Sequence, residues 1–421
     1  MPRSVSWPKY RPLAARFLAV RALTERLAAN LSPEDQCVQS MTEASPVKWH
    51  LAHTTWFFEK FVLRRVPTYV PFDERFDELF NSYYESLGPR QPRANRGLLT
   101  RPSAAEVRAW RCHVDHALGE LLENGGDADE DISFLVQLGL HHEQQHQELI
   151  LTDIKHAFFF NPLRPAYARA RPNILKRAPK MEWLYHPGGK IGIGHGGEHF
   201  AFDNERPRHD VLLYPFRIAT RPVTCGEYLA FMDDGGYSRP EFWLSDGWAL
   251  VQSEGWRAPL YWLPQENGRF RIFTLNGVRP LSPDEPVAHV SFYEAAAYAA
   301  WAGKRLATEF EWEAVAQTVP VKGNFLVDPS DVHPDVAEGD GIVQLFGDVW
   351  AWTRSSYDPY PGFRPFEGEL GEYNGKFMVG QMVLRGGSCA TPEGHMRATY
   401  RNFFPPSARW QFSGIRLAED A

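Results

Sequence analysis

The stretch "LHHEQQHQEL", residues 140–149, places three of the chain's 15 histidines within six positions. It belongs to a longer segment, residues 131–159, in which apolar residues recur at the spacing of an amphipathic helix. On such a helix His142 and His146 differ by only about 40° of rotation, so both imidazoles leave the same face. Two imidazoles on one helical face can begin a metal site, but they do not complete it.

Three further segments have the same helical period: residues 14–31, 45–65 and 103–124. The four segments predict an antiparallel helical bundle. Ser103 is the expected N-cap of the third helix, which should end near Gly125 and Gly126. The connection over residues 70–103 is too long for a tight bundle turn, and its aromatic content predicts an ordered, functional loop.

The character of the sequence changes after a stretch rich in Pro and Arg. We predict a helical bundle over residues 1–165, a linker over 166–180 and an α+β domain over 181–421. In the last region Gly, Pro and Trp are frequent and helical runs are short. The predicted fold class is therefore multidomain, α followed by α+β.

Composition excludes several classes of function. The net charge of −7 argues against general nucleic-acid binding, and no apolar run is long enough to span a bilayer. The N-terminal segment lacks the uninterrupted apolar core of an export signal. The four cysteines lie far apart without a Cys-x-x-Cys pair. We predict a cytoplasmic protein with free thiols and no membrane or nucleic-acid partner. The sequence is compatible with a homo-oligomer and does not determine the oligomeric state.

A third metal ligand should come from another helix of the bundle. Residues 49–59, "WHLAHTTWFFE", offer His50 and His53, which occupy neighbouring positions on a helix surface. A histidine flanked by tryptophans is more often a packed, hydrogen-bonded side chain than a ligand. A pair such as His142 and His146 also occurs by chance on surface helices, so the residues alone leave the ligand set open.

Residues 49–59 and 141–148 together resemble the His…His-x-x-x-His-x-Glu pattern of the DinB-like domain in the iron-dependent sulfoxide synthases of ergothioneine biosynthesis. The C-terminal half is similar to the C-type-lectin-like, formylglycine-generating-enzyme-related domain that follows it in that family. That similarity lies in residues 219–228, 286–316, 346–357, 383–391 and 412–418. The resemblance covers nearly the whole chain and implies that the second domain completes the active site.

The resemblance implies that His53, His142 and His146 bind Fe(II) and that His50 is a structural neighbour. Glu148 belongs to the matched pattern but points about 160° away from His146, so we expect it to support the site without binding the metal. On this interpretation His53→Ala abolishes iron binding and His50→Ala does not.

Three neutral imidazoles leave the full 2+ charge of the metal uncompensated, which favours an anionic thiolate as a further ligand. Members of the family join a thiol sulfur to C2 of the imidazole of hercynine, Nα-trimethylhistidine, and oxidise that sulfur to the sulfoxide with O2. The resemblance therefore implies an oxidoreductase with hercynine, a thiol and O2 as substrates.

The long loop supplies four candidate side chains. Tyr83 and Tyr84 resemble a tyrosine pair of the family branch that uses cysteine, and are the implied donors of a hydrogen bond or proton to the oxygen intermediate. Arg90 and Arg93 offer guanidinium groups that suit a substrate carboxylate. Aromatic rings that hold the loop on the bundle, and solvated loop charges, are the alternatives.

The C-terminal loop bears on the choice of thiol. The branch that uses γ-glutamylcysteine has an Asp shortly after an Asn, and an Arg beyond it. Here Asn402 is followed by Phe403 and Phe404, and Arg409 is displaced from the expected place, which favours free cysteine. Phe403 and Phe404 are candidates for contacting the trimethylammonium group of hercynine, and Asn402 and Gln145 for holding its carboxylate.

Three other functions compete with this interpretation. The helical domain also resembles DinB-type thiol transferases, which would use the same histidines with zinc and without oxygen. Formylglycine generation needs two cysteines soon after "RGGS", where this chain has Thr391 and Met396 and a displaced Cys389. A lectin-like binding module would leave the three histidines without a role.

Overall fold

The computed structural model describes residues 12–82, 84, 88, 91–169, 176–372 and 374–421. Tyr83 and Arg90, two of the predicted site residues, lie outside the described residues. The chain forms two compact units, Met1–Asn161 and Pro162–Ala421. The first unit is helical and the second combines short helices with small sheets, so the predicted multidomain α and α+β fold is confirmed.

The described part of the first unit contains α1 (Leu13–Ala29), α2 (Val47–Phe61), α3 (Phe76–Leu79), α4 (Ala104–Glu123) and α5 (Glu130–Phe160). The four long helices correspond to the four predicted segments. Helices α1 and α2 each pack against both α4 and α5, which makes a four-helix bundle. The long loop contains α3 and a 3-10 helix over Arg93–Leu98, so much of it is ordered as predicted.

The ends of α4 follow from two local signals. The hydroxyl of Ser103 accepts the N–H of Glu106, and the Glu106 carboxylate accepts the N–H of Ser103. This reciprocal cap satisfies two backbone donors and stabilises the helix start by about 1 kcal/mol. At the other end the helix stops before Gly125, whose φ of +83° is readily adopted only by glycine.

A buried ion cluster fixes the rotation of α5 within the bundle. Glu143 is fully buried and binds Arg21 of α1 at 2.8 Å and Arg111 of α4 at 2.5 Å. Thr24 donates a further hydrogen bond to the same carboxylate at 2.6 Å. Because the carboxylate of Glu143 contacts two neighbouring helices, α5 cannot turn about its axis without leaving a charge unpaired.

The second unit contains four short helices and a larger number of short strands within its described residues. The helices are α6 (Cys225–Asp233), α7 (Ser245–Glu254), α8 (Phe292–Trp301) and α9 (Glu309–Ala316). The strands are β1 (Trp183–His186), β2 (Gly189–Ile193), β3 (His209–Leu213), β4 (Phe216–Ala219), β5 (Trp262–Pro264), β6 (Phe270–Thr274), β7 (Gly277–Pro280), β8 (Arg305–Leu306), β9 (Gly323–Asn324), β10 (Phe346–Gly347), β11 (Trp350–Ser356), β12 (Met382–Arg385), β13 (Asn402–Phe404), β14 (Ser413–Gly414) and β15 (Leu417–Asp420).

Two four-stranded sheets organise this unit. One has the order β1-β4-β15-β8 and is antiparallel throughout. The other has the order β13-β12-β11-β14, and β13 pairs antiparallel with β12 so that Asn402 lies opposite Leu384. Three smaller sheets are formed by β2-β3, β5-β6-β7 and the parallel pair β9-β10. The predicted Asn402, Phe403 and Phe404 are therefore the three residues of β13, at the edge of the second sheet.

Buried ion pairs tie the second sheet to helix α9. Arg385, at the end of β12, is fully buried and binds Glu313 at 2.6 Å and Glu309 at 3.2 Å. Arg401, the residue before β13, also binds Glu309 at 2.9 Å. The position of β13 is thus fixed by the same acidic helix that anchors β12.

The described parts of the stretch predicted as a linker, residues 166–180, are bonded to the second unit. The N–H of Tyr167 donates to the carbonyl of Leu275, and the N–H of Ala178 donates to Asp284. No disulfide joins the four cysteines, all of which lie in the described part of the chain. Over the same described residues, no helix has the length and apolar character needed to cross a bilayer.

Candidate functional site

Helices α2 and α5 bring His53, His142 and His146 together in the interior of the first unit. One ring nitrogen of each histidine lies within 4.8 Å of the corresponding nitrogens of the other two. The ring centres are 4.6 Å apart for His142 and His146, and 4.9 and 5.0 Å from His53 to each of them. The spacing of four on α5 aligns its two histidines, and α2 packs against that face.

Burial keeps these imidazoles neutral. It lowers the pKa of His142 to about 3 and is the main cause of the strongly lowered pKa of His53 and of His146. Neighbouring histidines and the charge of Arg96 lower the pKa of the latter two further. Three neutral imidazoles present lone pairs and no competing protons, which is the state that metal binding requires.

The environment of His53 shows which of its nitrogens is available. Its Nδ1 lies 2.7 Å from the carbonyl of Phe80 and must donate there, because a carbonyl oxygen only accepts. Its Nε2 is therefore unprotonated, and it is buried without a hydrogen-bond partner among the described residues. A buried acceptor without a partner is costly, and a bound cation would satisfy it, so the residues fit a metal ion.

His50 is adjacent to the three histidines and contacts His146. The Nδ1 atoms of His50 and His146 are 2.8 Å apart, and His50 Nε2 is 3.1 Å from Asp153 Oδ2. The same carboxylate oxygen accepts the N–H of Ser45 at 2.8 Å. All of these side chains are buried, and burial lowers the pKa of His50, with Asp153 opposing the shift.

The rings of two tryptophans stack on the imidazole of His53. Its ring stacks on Trp49 at 4.6 Å and 17°, and on Trp56 at 5.6 Å and 14°. The guanidinium of Arg96 lies 3.5 Å from the centre of the Trp49 ring. Arg96 is itself buried and donates to the hydroxyls of Ser45 and Ser82. The packing leaves the imidazole of His53 little freedom to rotate.

The long loop places its predicted residues differently. Tyr84 is buried, and its ring packs against Trp56 at 5.6 Å and Phe61 at 5.1 Å. Arg93 is exposed and donates to the carbonyl of Glu43. Gln145 lies on α5 between the two histidine ligand candidates and is half-buried. The ring of Trp56 lies between Tyr84 and His53 and contacts both.

In the second unit the predicted residues of β13 are partly buried among other aromatic rings. Phe403 stacks on Tyr357 with 4.0 Å between ring centres and 11° between planes, and Phe404 meets Trp410 edge-on at 5.7 Å. The side chain of Asn402 accepts the N–H of Phe403 at 2.9 Å. These three side chains are held in defined positions by the sheet and its aromatic neighbours.

Arg409 is engaged within the second unit. Its guanidinium donates to Glu294 at 2.8 Å and to the carbonyl of Ala258 at 2.5 Å, and it lies 4.2 Å from the centre of the Trp256 ring. Glu294 is fully buried, so removing this arginine would leave a buried carboxylate without its cation. The contacts of Arg409 are those of a structural residue.

Arg96 and Asp153 are not among the predicted site residues, and only Asp153 has a signal in the sequence. Asp153 follows His146 by seven residues, which is two turns, so His142, His146 and Asp153 form one stripe on α5. Trp49, His53 and Trp56 form the facing stripe on α2 by the same spacing of four and three. An acid in register with two histidines on one helix is the signal for Asp153, whereas the stacking of Arg96 on the buried Trp49 depends on tertiary packing.

The comparisons with known proteins agree with this architecture. Residues 16–150 match the DinB superfamily, and residues 169–326 and 320–421 match the sulfatase-modifying factor enzyme 1-like domain. The hercynine oxygenase of Mycobacterium tuberculosis is 34% identical over 436 residues, covering 97% of this chain and 98% of that protein. The hercynine oxygenase of Mycolicibacterium smegmatis is 35% identical, covering 89% of this chain and 91% of that protein.

A more distant relative is ergothioneine biosynthesis protein 1 of Schizosaccharomyces pombe, 28% identical over 53% of this chain and 28% of that protein. The two mycobacterial proteins extend across both units at more than 30% identity, and the two domain matches occur in the same order along this chain. The chain therefore belongs to the hercynine oxygenase family of oxidoreductases.

Proposed function

We propose that the protein is an Fe(II)- and O2-dependent sulfoxide synthase of ergothioneine biosynthesis, which joins the sulfur of cysteine to C2 of the imidazole of hercynine. The observation that carries the proposal is the buried trio of His53, His142 and His146 in a chain whose near full-length relatives are hercynine oxygenases. A cytoplasmic location and the oligomeric state, a homo-oligomer included, stay predictions.

The reaction balances with O2 as the only oxidant. The thiol loses its S–H proton and hercynine loses the hydrogen at C2 as the carbon–sulfur bond forms. One oxygen atom ends on sulfur as the sulfoxide, and the other leaves as water with the two hydrogens. Bond formation and sulfur oxidation each remove two electrons, and these four electrons reduce O2.

We propose that His53, His142 and His146 hold the metal. Bound Fe(II) would supply a redox-active Lewis acid with positions open for thiolate and O2. The chain's part is to keep three neutral imidazoles buried and fixed. The acceptor at Phe80 and the stacking on Trp49 orient His53 before any metal arrives, so little order has to be gained on binding.

Free cysteine is our proposed thiol. A γ-glutamyl group would bring an additional charged end that needs a partner in the C-terminal loop. The guanidinium of Arg409 is already paired with Glu294, and Phe403 and Phe404 follow Asn402 without the Asp that the γ-glutamylcysteine branch has shortly after its Asn. Both features support the smaller substrate.

The remaining roles are proposals by position. Tyr83 and Tyr84 are proposed proton donors in the oxygen-dependent step, and the packing of Tyr84 against Trp56 is consistent with a place near the histidines. The proposed substrate contacts are Arg90, Arg93, Gln145, Asn402, Phe403 and Phe404.

The test is a product analysis on purified protein loaded with Fe(II). With hercynine, cysteine and O2 we expect, by mass spectrometry, the cysteine adduct of hercynine with one added oxygen. Without O2 no adduct should form, and γ-glutamylcysteine should react more slowly than cysteine. Protein loaded with Zn(II) is the control and should be inactive. An oxygen-independent adduct made by the zinc form would contradict the proposal and favour thiol transfer.

A further inference from the structure

We propose that Asp153 and His50 are positioning residues which fix the proton of His146 on Nδ1 and so keep its Nε2 available for the metal. The inference rests on the proposed function only in taking His146 as a metal ligand. It assigns a task to two buried polar residues, one on α2 and one on α5.

Asp153 determines which group carries the proton in its contact with His50. A carboxylate accepts hydrogen bonds and has none to donate. Its Oδ2 already accepts the backbone N–H of Ser45 and lies 3.1 Å from His50 Nε2. The proton between Asp153 and His50 must therefore belong to His50 Nε2.

The proton on His50 in turn determines the donor in the contact between the imidazoles of His50 and His146. A neutral imidazole carries one N–H, so a proton on Nε2 of His50 leaves its Nδ1 as an acceptor. That acceptor is 2.8 Å from Nδ1 of His146, which must be the donor. His146 consequently has its proton on Nδ1 and its lone pair on Nε2. The direction of both hydrogen bonds is therefore set by Asp153, because its carboxylate can only accept.

His53 has the same tautomer but a different acceptor. Its Nδ1 donates to the carbonyl of Phe80, so the same tautomer is obtained there with a neutral acceptor. For His146 the acceptor chain ends in a carboxylate, which adds electron density to the imidazole through the hydrogen bonds. Many iron sites bind a carboxylate directly to the metal. In this protein the carboxylate of Asp153 is connected to the proposed ligand His146 through two hydrogen bonds, with His50 between them.

Asp153 and His50 could also have a purely structural role, which would not affect the tautomer of His146. Asp153 caps the backbone near the start of α2 through Ser45, and His50 fills space, and neither task depends on which nitrogen of His146 is protonated. The experiment therefore has to read the proton position in the metal-free protein as well as the metal affinity.

Asp153→Asn is the first variant, because an amide can present either an acceptor or a donor to His50. We expect nitrogen NMR of histidine-labelled, metal-free protein to show a single Nδ1-protonated His146 in the wild type. In the variant an Nε2-protonated form should appear, since the order of donors can reverse. Fe(II) affinity, measured anaerobically by competition with a chromogenic chelator, should fall about 10- to 100-fold.

His50→Leu and His50→Gln form the second pair and keep the test sharp if Asp153→Asn folds poorly. A glutamine can accept from His146 through its oxygen and donate to Asp153 through its nitrogen, whereas leucine can do neither. We expect leucine to lower Fe(II) affinity about tenfold or more and glutamine to retain most of it. Asp115→Asn, which changes a carboxylate paired with Arg21 on the same bundle, is the matched control and should leave both readouts unchanged.

Unchanged His146 protonation and Fe(II) affinity in Asp153→Asn and His50→Leu would overturn the inference. Equal weakening by leucine and glutamine at position 50 would also overturn it, since packing and not hydrogen-bond order would then explain the loss. A wild-type protein that binds no Fe(II) would refute the proposed function instead. In that case the NMR measurement on the metal-free protein still decides whether Asp153 and His50 set the tautomer.

Discussion

The guanidinium of Arg96 lies 3.5 Å from the centre of the indole ring of Trp49, and Trp49 in turn stacks on His53. A buried cation is costly unless it is paired or lies against an electron-rich ring. Arg96 donates to the hydroxyls of Ser45 and Ser82 and lies against the ring of Trp49. After burial and the neighbouring histidines, the charge of Arg96 lowers the pKa of His53 and His146.

Arg96→Gln should weaken the binding of an anionic thiolate more than that of hercynine. The loss of about 1 kcal/mol of attraction predicts a rise of about fivefold in the KM for cysteine. Steady-state kinetics with each substrate varied in turn is the measurement, and Arg108→Gln, on the exposed face of α4, is the control. An equal rise in both KM values would point to general disruption of the site.

His53→Ala, His142→Ala and His146→Ala should each abolish stoichiometric Fe(II) binding. The reason is that each removes one of three nitrogens that lie within 4.8 Å of one another. Anaerobic titration followed by metal analysis measures the effect. His50→Ala should still bind one equivalent at saturating iron, although more weakly. Retention of stoichiometric iron by any of the three ligand variants would remove that residue from the site.

Glu143→Gln should destabilise the bundle by about 3 kcal/mol, because it leaves Arg21 and Arg111 buried beside a neutral group. The carboxylate is ionised in the folded protein: burial alone would raise its pKa, but the charges of Arg111 and Arg21 outweigh burial and lower it to about 2. Urea unfolding measures the loss. Glu120→Gln, on the exposed side of α4, should change stability by less than about 0.5 kcal/mol.

Tyr83→Phe/Tyr84→Phe, made together, should reduce sulfoxide formation while leaving Fe(II) affinity unchanged, because a phenyl ring preserves packing but cannot donate a proton. The yield of sulfoxide per O2 consumed is the measurement. Tyr69→Phe is a suitable control, since the hydroxyl of Tyr69 is occupied by Glu59. An unchanged yield in the double variant would remove both tyrosines from the proposed chemistry.

A pH-dependent stability is expected from Asp348 in the second unit. Burial raises its pKa to about 6, although Asn324 and the N–H of Asp335 donate hydrogen bonds to it. Between about pH 4 and 6 the folded chain keeps a proton that the unfolded chain releases, so stability falls as pH rises through this window, by up to about 3 kcal/mol.

Asp348→Asn removes that titration and retains both hydrogen bonds, since an amide oxygen can accept them. The difference in unfolding free energy between variant and wild type should therefore grow in favour of the variant from pH 4 to pH 7. Urea unfolding at several pH values measures it. A constant difference across that range would contradict the raised pKa.

Much of this fold could be predicted because its signals are local. The apolar period of residues 14–31 and 131–159 gave two of the long helices, and the Ser103 cap and Gly125 fixed the ends of a third. The motifs of the second unit are recognisable for a different reason: residues such as Arg385 and Glu313 are buried ion partners and so mark the fold. They say little about chemistry, which explains why domain motifs alone do not separate members with different activities.

The site was only partly predictable. The ligand pair on α5 followed from its spacing, but the choice between His50 and His53 depends on which ring α2 turns toward His142 and which toward Asp153. That orientation is a tertiary property without a local signal. The same holds for Arg96 and Arg93, which are one helical turn apart in sequence, one buried and one exposed.

The hydrogen bond from His53 to the carbonyl of Phe80 has a practical consequence for engineering. Substrate choice in a family of this kind invites chimaeras, in which the variable loop of one member is grafted onto the bundle of another. In this chain the backbone at position 80 and the hydroxyl of Ser82 are part of the support for a metal ligand and for Arg96. A graft junction placed before Phe80 would alter the iron affinity together with the specificity, whereas one placed after Ser82 that retains Arg96 should leave this support in place.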